Sequence, residues 1–222
     1  MGYLDNDMDK LIESFQRRNL VVHAGNRVNQ TYLSKVDDTF TDDIDVGEKL
    51  RVDRDYLDDR IDLLEKNCLL IGFELWKQID IHDEDRGLHL VDLSFEHLKR
   101  GRYNISESLG YFLHNDKNQP EPQRLIGKIN YWLSLKRQGR WDEVKESAES
   151  ADFGAKGLRF RLAHASLCER EEDFFELLEP TIKSTELTTE HVREWPVFKE
   201  MRETDELEDH LSKIESQENG GV

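Results

Sequence analysis

Proline and cysteine are both scarce, with four prolines and two cysteines in 222 residues. A chain with so few helix breakers is not built like a sandwich punctuated by tight turns, and long solvated helices are expected instead. Cys68 and Cys168 lie far apart, and neither belongs to a CxxC pair. That excludes a disulfide framework or a thiolate metal site, and both are expected to be core thiols. No apolar run approaches the roughly 18 residues that would suggest a membrane span. The first residues carry Asp5, Asp7 and Asp9 rather than the basic-then-apolar order of a signal peptide. A cytoplasmic location without a membrane partner is the expectation. The chain also lacks a GxxxxGK[ST] loop, a GxGxxG turn, a GxSxG elbow and an HExxH helix. Nucleotide hydrolysis, dinucleotide binding, serine-hydrolase chemistry and zinc proteolysis therefore have no support, and no cofactor or metal is expected. The acidic stretch from Asp37 to Asp45 lacks the glycine and terminal glutamate of a calcium loop, so it reads as a solvated loop.

Charge, in contrast, is abundant. Charged residues make up 36% of the chain, and 48 acidic against 31 basic side chains give a net charge of −17. A surface of that sign repels a polyanion such as RNA at ordinary ionic strength. The repulsion is screened at molar salt, where the Debye length falls to about 3 Å. The distribution is uneven, because Arg17, Arg18 and Arg27 cluster while much of the acid falls between Asp37 and Asp59.

Periodicity predicts the organisation. Met8, Leu11, Ile12, Phe15 and Val22 recur at helical spacing, which predicts a helix from about Asp7 to His23 with Gly25 as its stop. Arg18 and Asn19 fall where that stripe calls for apolar residues. A short helix around Val28 to Val36 and a brief extended segment from Gly47 to Val52 follow. The strongest signal is a helix from about Asp53 to Ile79, in which Leu57, Ile61, Leu64, Cys68, Ile71, Leu75 and Ile79 alternate steps of four and three. Leu63, Leu70 and Phe73 give it a second apolar face, so cover is needed on both sides, from its own domain or from a second copy. The run His82 to Gly87 is the expected boundary between a domain at 1–82 and a region at 88–213, with a disordered tail at 214–222. In the second region Lys99-Arg100-Gly101-Arg102-Tyr103 is echoed by Lys136-Arg137-Gln138-Gly139-Arg140-Trp141, and more weakly by Glu172-Asp173-Phe174-Phe175. This pattern loosely resembles tetratricopeptide-type repeats, with Pro180 and Pro196 interrupting the last helices. Trp132, Trp141 and Trp195 are expected in the core rather than as base-stacking platforms.

An arginine followed five residues later by a histidine is common by chance. Here Arg18-Asn19-Leu20-Val21-Val22-His23 is followed by Val28-Asn29 and Tyr32-Leu33. Together these residues resemble the RxxxxH motif of the HEPN family and the segment after it, over roughly residues 8 to 79. The resemblance implies a HEPN-like helical bundle, so that with the repeat-like second half the expected fold is all-α, that bundle followed by irregular helical hairpins. It implies a metal-independent endoribonuclease acting as a homodimer on single-stranded RNA, of a kind that often serves in defence or toxin systems. Arg18, Asn19 and His23 match its catalytic positions, and Arg17 and Arg27 are candidates for holding neighbouring phosphates. HEPN domains usually carry helices before the motif, whereas 17 residues precede Arg18 here, so the bundle reads as short at its N-terminus.

The chemistry fits those residue types. Cleavage of RNA by its own 2′-hydroxyl needs a proton acceptor, a proton donor and positive charge at the pentavalent phosphate. A five-residue step turns about 140° around a helix, so Arg18 and His23 of one chain do not face one phosphate. Two motif helices packed about a twofold axis would line one cleft with both pairs. The competing expectation is a non-catalytic scaffold that dimerises and presents its repeat region to a protein partner.

Overall fold

A computed structural model describes the backbone of residues 2–219 and the side chains of residues 7–217. The protein is all-helical, and among the described residues the only β-type pairing is an isolated antiparallel bridge between Arg27 and Lys49. The chain divides into two compact units, residues 1–73 and 74–222. The division falls before the His82 to Gly87 run, inside the longest helix.

The first unit holds α1 (Gly2–His23), α2 (Gln30–Lys35) and most of α3 (Arg54–Ile79). Gly25 ends α1 as its position suggested. It adopts φ +58, which a glycine tolerates without strain, and the Asn26 N–H turns back to the Leu20 carbonyl at 3.0 Å. The Asn29 side chain caps α2 by accepting from the Tyr32 N–H, and Asp53 caps α3 by accepting from the Tyr56 N–H at 3.0 Å. The small core gathers Leu20, Val28, Tyr32, Val36 and Leu50. Partners of α1 in α3 descend in number as α1 ascends, Asp7 with Lys66 and Asn67, then Glu13 with Arg60 and Tyr56. The two helices therefore run antiparallel.

Two expectations about faces are corrected here. On α1 the predicted apolar stripe is not the buried face, since Met8, Phe15 and Val22 are exposed while Asp7, Glu13 and Leu20 are buried. The buried face is held by ion pairs and hydrogen bonds, which periodicity of apolar residues cannot register. On α3 the buried residues are Leu63, Asn67, Leu70 and Phe73, and the more regular row is open. Cys68 lies in that open row and is exposed, not a core thiol.

The second unit begins with the end of α3 and continues through α4 (Glu84–Lys99), α5 (Tyr103–Asn115), α6 (Glu121–Arg137), α7 (Lys145–Glu149), α8 (Leu158–Leu167), α9 (Glu171–Lys183), α10 (Thr189–Glu194), α11 (Lys199–Arg202) and α12 (Glu206–Asn219). Its large core includes Leu133, Leu162, Phe174, Leu178, Val197, Phe198 and Leu211. Trp132 and Trp195 are buried and Trp141 packs against the same core, as expected of them. α5 and α6 approach so closely that a Cβ on Gly110 would lie 2.7 Å from the Gly127 carbonyl oxygen. Only glycine fits that crossing.

The same turn joins α4 to α5, α6 to the turn before α7, and α8 to α9. Gly101, Gly139 and Glu169 each take a left-handed φ of 73°, 73° and 56°. The following arginine N–H, of Arg102, Arg140 or Arg170, bonds five residues back at 2.9 Å in all three. The third turn lies at Glu169-Arg170, ahead of the weak echo read at Glu172.

Three further differences stand out. α4 starts at Glu84, with Asp83 as its cap, and Arg86 and Gly87 are buried, so the expected linker is mostly helix. Arg86 is fixed by the carbonyls of Asp80 and Ile81 and by Asp116 at 3.0 Å. Pro180 does not interrupt α9, because it and Glu176, whose carbonyl it cannot bond, both lie on the exposed side where water can serve. α12 continues through Asn219 with Ile214 buried, where a disordered tail was expected from 214; residues 220–222 lie outside the described residues.

Candidate active site on the first helix

Arg18 and Asn19 stand on the exposed surface of α1, and His23 is its last residue, also exposed. Arg18 donates from Nη1 to Asn19 Oδ1 at 3.3 Å on the exposed surface. Among the described residues, no hydrogen bond or ring contact joins Arg18 to His23 within the chain. One copy brings Arg18 and Asn19 together and leaves His23 apart, as the turn of the helix dictates.

Arg17 is placed differently from the expectation that it holds phosphate. Its Nε donates to Glu13 Oε1 at 2.5 Å, its Nη1 donates to the Arg51 carbonyl at 3.0 Å, and its guanidinium lies 4.4 Å from the centre of the Tyr56 ring. With the side chain only 14% exposed, the guanidinium is held inside the unit. Arg27 is exposed and donates to the Gly47 carbonyl at 2.8 Å.

The residue that sequence reading missed is Glu13, whose carboxylate is fully buried. It accepts from Arg17, from the Tyr32 hydroxyl at 2.9 Å, from the Tyr56 hydroxyl at 2.9 Å and from Arg60 at 3.1 Å. These partners come from α1, α2 and α3, so one carboxylate locks the helix that carries the motif to both neighbours. A buried charge is tolerable only when it is paired and hydrogen-bonded in this way. Burial pushes the Tyr32 phenol up to about 12, with the Glu13 charge adding to it and Arg17 opposing. Burial, then Glu13, also raises Tyr56. Both tyrosines are thus held neutral, as donors to Glu13. The four-residue spacings Glu13 to Arg17 and Tyr56 to Arg60 were visible in the sequence. Their joining across α1 and α3 was not.

Beside this network, α1 and α3 enclose an open apolar groove of about 330 Å³, lined by Phe15, Arg18, Val21, Leu57, Ile61 and Leu64 among others. Phe15, Val21, Val22, Leu57, Ile61, Leu64 and Ile71 are 41% to 59% exposed. Arg18 is the motif residue that lines the groove. Among the described residues no group of three or more histidine, cysteine or carboxylate side chains is arranged to hold a metal ion, and no helix is long and apolar enough to cross a membrane.

No family model matches the chain, and no curated protein or solved structure is detectably similar to it.

Proposed function

We propose that the chain is a metal-independent endoribonuclease of HEPN type, acting as a homodimer whose α1–α3 faces pack together and join the two copies of Arg18 and His23 in one cleft. The observation that carries this reading is the coincidence of the motif with an uncovered apolar face. Arg18 lines the groove formed with Leu57, Ile61 and Leu64, so whatever covers the groove also covers the arginine. A second copy supplies both the missing apolar cover and the second Arg18 and His23. In this arrangement Arg18 stabilises the charge of the pentavalent phosphate, Asn19 orients it, and His23 moves a proton at the attacking or leaving oxygen.

The test is cleavage of single-stranded RNA in EDTA, at low and at molar salt, by the native chain and by His23→Ala and Arg18→Ala. Both side chains are exposed, so either variant should fold as the native protein does. The reading expects products ending in 2′,3′-cyclic phosphate and loss of cleavage in both variants. Equal cleavage by all three proteins, or none by any, would remove it.

A scaffold reading has an observation of its own in the second unit. Its three like turns support the likeness to tetratricopeptide-type hairpins. There Val91, Phe95, Ile126, Leu187 and Trp195 line an apolar groove of about 260 Å³. The indole N–H of Trp195 is buried without an acceptor. A protein segment offering an apolar side chain and a carbonyl would suit that groove. Under this reading alone, Phe95→Asp abolishes function and the Arg18 and His23 variants behave as the native chain.

A further inference from the structure

Immediately after the motif helix, two short segments, residues 26–28 and 47–51, lie side by side as a small ribbon closed by a single antiparallel bridge. The Val28 N–H donates to the Glu48 carbonyl at 2.8 Å, the Gly47 N–H to the Val28 carbonyl at 2.8 Å, and the Leu50 N–H to the Asn26 carbonyl at 3.0 Å. Arg27 and Lys49 are the bridged pair, directly opposite one another. Opposed residues of an antiparallel pair project to the same side, with Cβ atoms about 5 Å apart. Side chains alternate along an extended strand, so Arg51 shares the side of Lys49 while Leu50 turns in. Burial follows that alternation, with Lys49 and Arg51 exposed on either side of buried Leu50.

Three cations therefore share one exposed side of the ribbon. Like charges directly opposite each other destabilise a strand pair, and no carboxylate pairs with Arg27 or Lys49 among the described residues. Arg51 reaches only Asp53, at 3.4 Å with its own side chain 87% exposed. Nearby Glu48 is turned to other use, accepting from the Asp45 N–H at 3.2 Å. The Arg51 carbonyl accepts from Arg17, which fixes this strand beside α1 next to Arg18. In a chain of net charge −17, a basic side on which only Arg51 meets a carboxylate is the reverse of the general surface.

We infer that the ribbon side bearing Arg27, Lys49 and Arg51 binds the phosphates of single-stranded RNA adjoining the scissile bond. This inference rests on the ribonuclease reading and assigns Lys49 and Arg51, rather than Arg17, as phosphate contacts beside Arg27. Contacts of this type hold the strand in register without reading its sequence. They also answer the objection from net charge, since the strand meets a local positive surface.

The test is binding of a labelled single-stranded RNA, fully 2′-O-methylated so that it is not cleaved, followed by fluorescence anisotropy in EDTA over a salt series. Cleavage of unmodified RNA is measured in parallel. The native chain is compared with His23→Ala, with Lys49→Ala/Arg51→Ala, and with Lys145→Ala/Lys183→Ala, which removes the same charge from the second unit. The ribbon variant should bind about tenfold more weakly or worse, and its salt slope should fall by about 1.4, or 0.7 for each lost phosphate contact. The charge-matched control should bind as the native chain does, while His23→Ala should lose cleavage. Native-like binding and KM in the ribbon variant, alongside normal cleavage by the native chain, would overturn the ribbon and leave the ribonuclease reading intact. Equal weakening in the charge-matched control would also overturn it. A native chain that neither binds nor cleaves RNA would overturn both.

Discussion

Removing the Glu13 carboxylate should unfold the first unit before the second. The substitution to examine is Glu13→Ala, compared with Glu13→Gln. In the native chain a carboxylate with no exposure is matched to Arg17 and Arg60, which are 14% and 13% exposed, and to two tyrosine hydroxyls. Losing it leaves Arg17 inside the unit without its counter-charge and Arg60 with only the exposed Asp59 at 3.2 Å, a change that costs about 3 to 5 kcal/mol in buried pairs. Four separate charge-assisted bonds at about 1.5 to 3 kcal/mol each would sum to more, but bonds that share one acceptor are not additive. Taking the lower figure, a unit of this size should lose roughly 12 to 24 °C in Tm. Glu13→Gln keeps the shape and loses the charge, so it should fall between the native protein and the alanine variant. Thermal and urea unfolding of the full chain, followed by circular dichroism, would show an early transition split from that of the second unit. A loss under about 1 kcal/mol for Glu13→Ala would refute the claim that this carboxylate fastens α1 to its neighbours.

Two further outcomes follow from the same geometry. The Tyr32 phenol is held up to about 12 against an ordinary value near 10. The stability it contributes is complete below pH 10 and drains as the pH rises toward 12. The urea midpoint of the first unit should fall over that window, and Tyr32→Phe should start lower and show a flatter alkaline fall; identical profiles would contradict the assignment. In the second unit, Gly110→Ala places a methyl group 2.7 Å from the Gly127 carbonyl oxygen and 2.9 Å from the Tyr131 nitrogen, both backbone atoms. Strain from overpacking of this kind costs about 1 to 3 kcal/mol, which should exceed the helix preference of alanine. Native stability in this variant would show that α5 and α6 separate freely.

Much of the backbone was legible in the residues. The scarcity of proline and the length of the periodic runs gave the all-helical class. The ends of α3 fell within a residue of where apolar spacing put them, and Gly25, Gly101 and Gly139 marked real left-handed turns. The faces were harder. Apolar periodicity on α1 pointed to Met8, Phe15 and Val22, whereas the buried side is organised by Asp7 and Glu13. A polar network leaves no apolar period, and its partners Tyr32, Tyr56 and Arg60 are distant in the chain. Arg17 looked like a free cation for the same reason. The most regular row of α3, from Leu57 to Ile71, is open in a single chain. Arg18 and His23 are candidates by resemblance alone, and Lys49 and Arg51 became candidates only when the bridge set Lys49 opposite Arg27.

The composite dimer site is tested most directly by Ile61→Asp. Ile61 is 55% exposed, so a carboxylate there should change the stability of the single chain by no more than about 0.5 kcal/mol while breaking the apolar face on which a second copy would sit. Mass and RNA cleavage are measured together, in EDTA, for the native and variant chains at equal concentration. The account predicts a native dimer that leaves 2′,3′-cyclic phosphate ends and a folded Ile61→Asp monomer that leaves none, although its Arg18 and His23 are intact. A native chain that is monomeric, or a monomeric variant that cleaves as fast as the native chain, would contradict it.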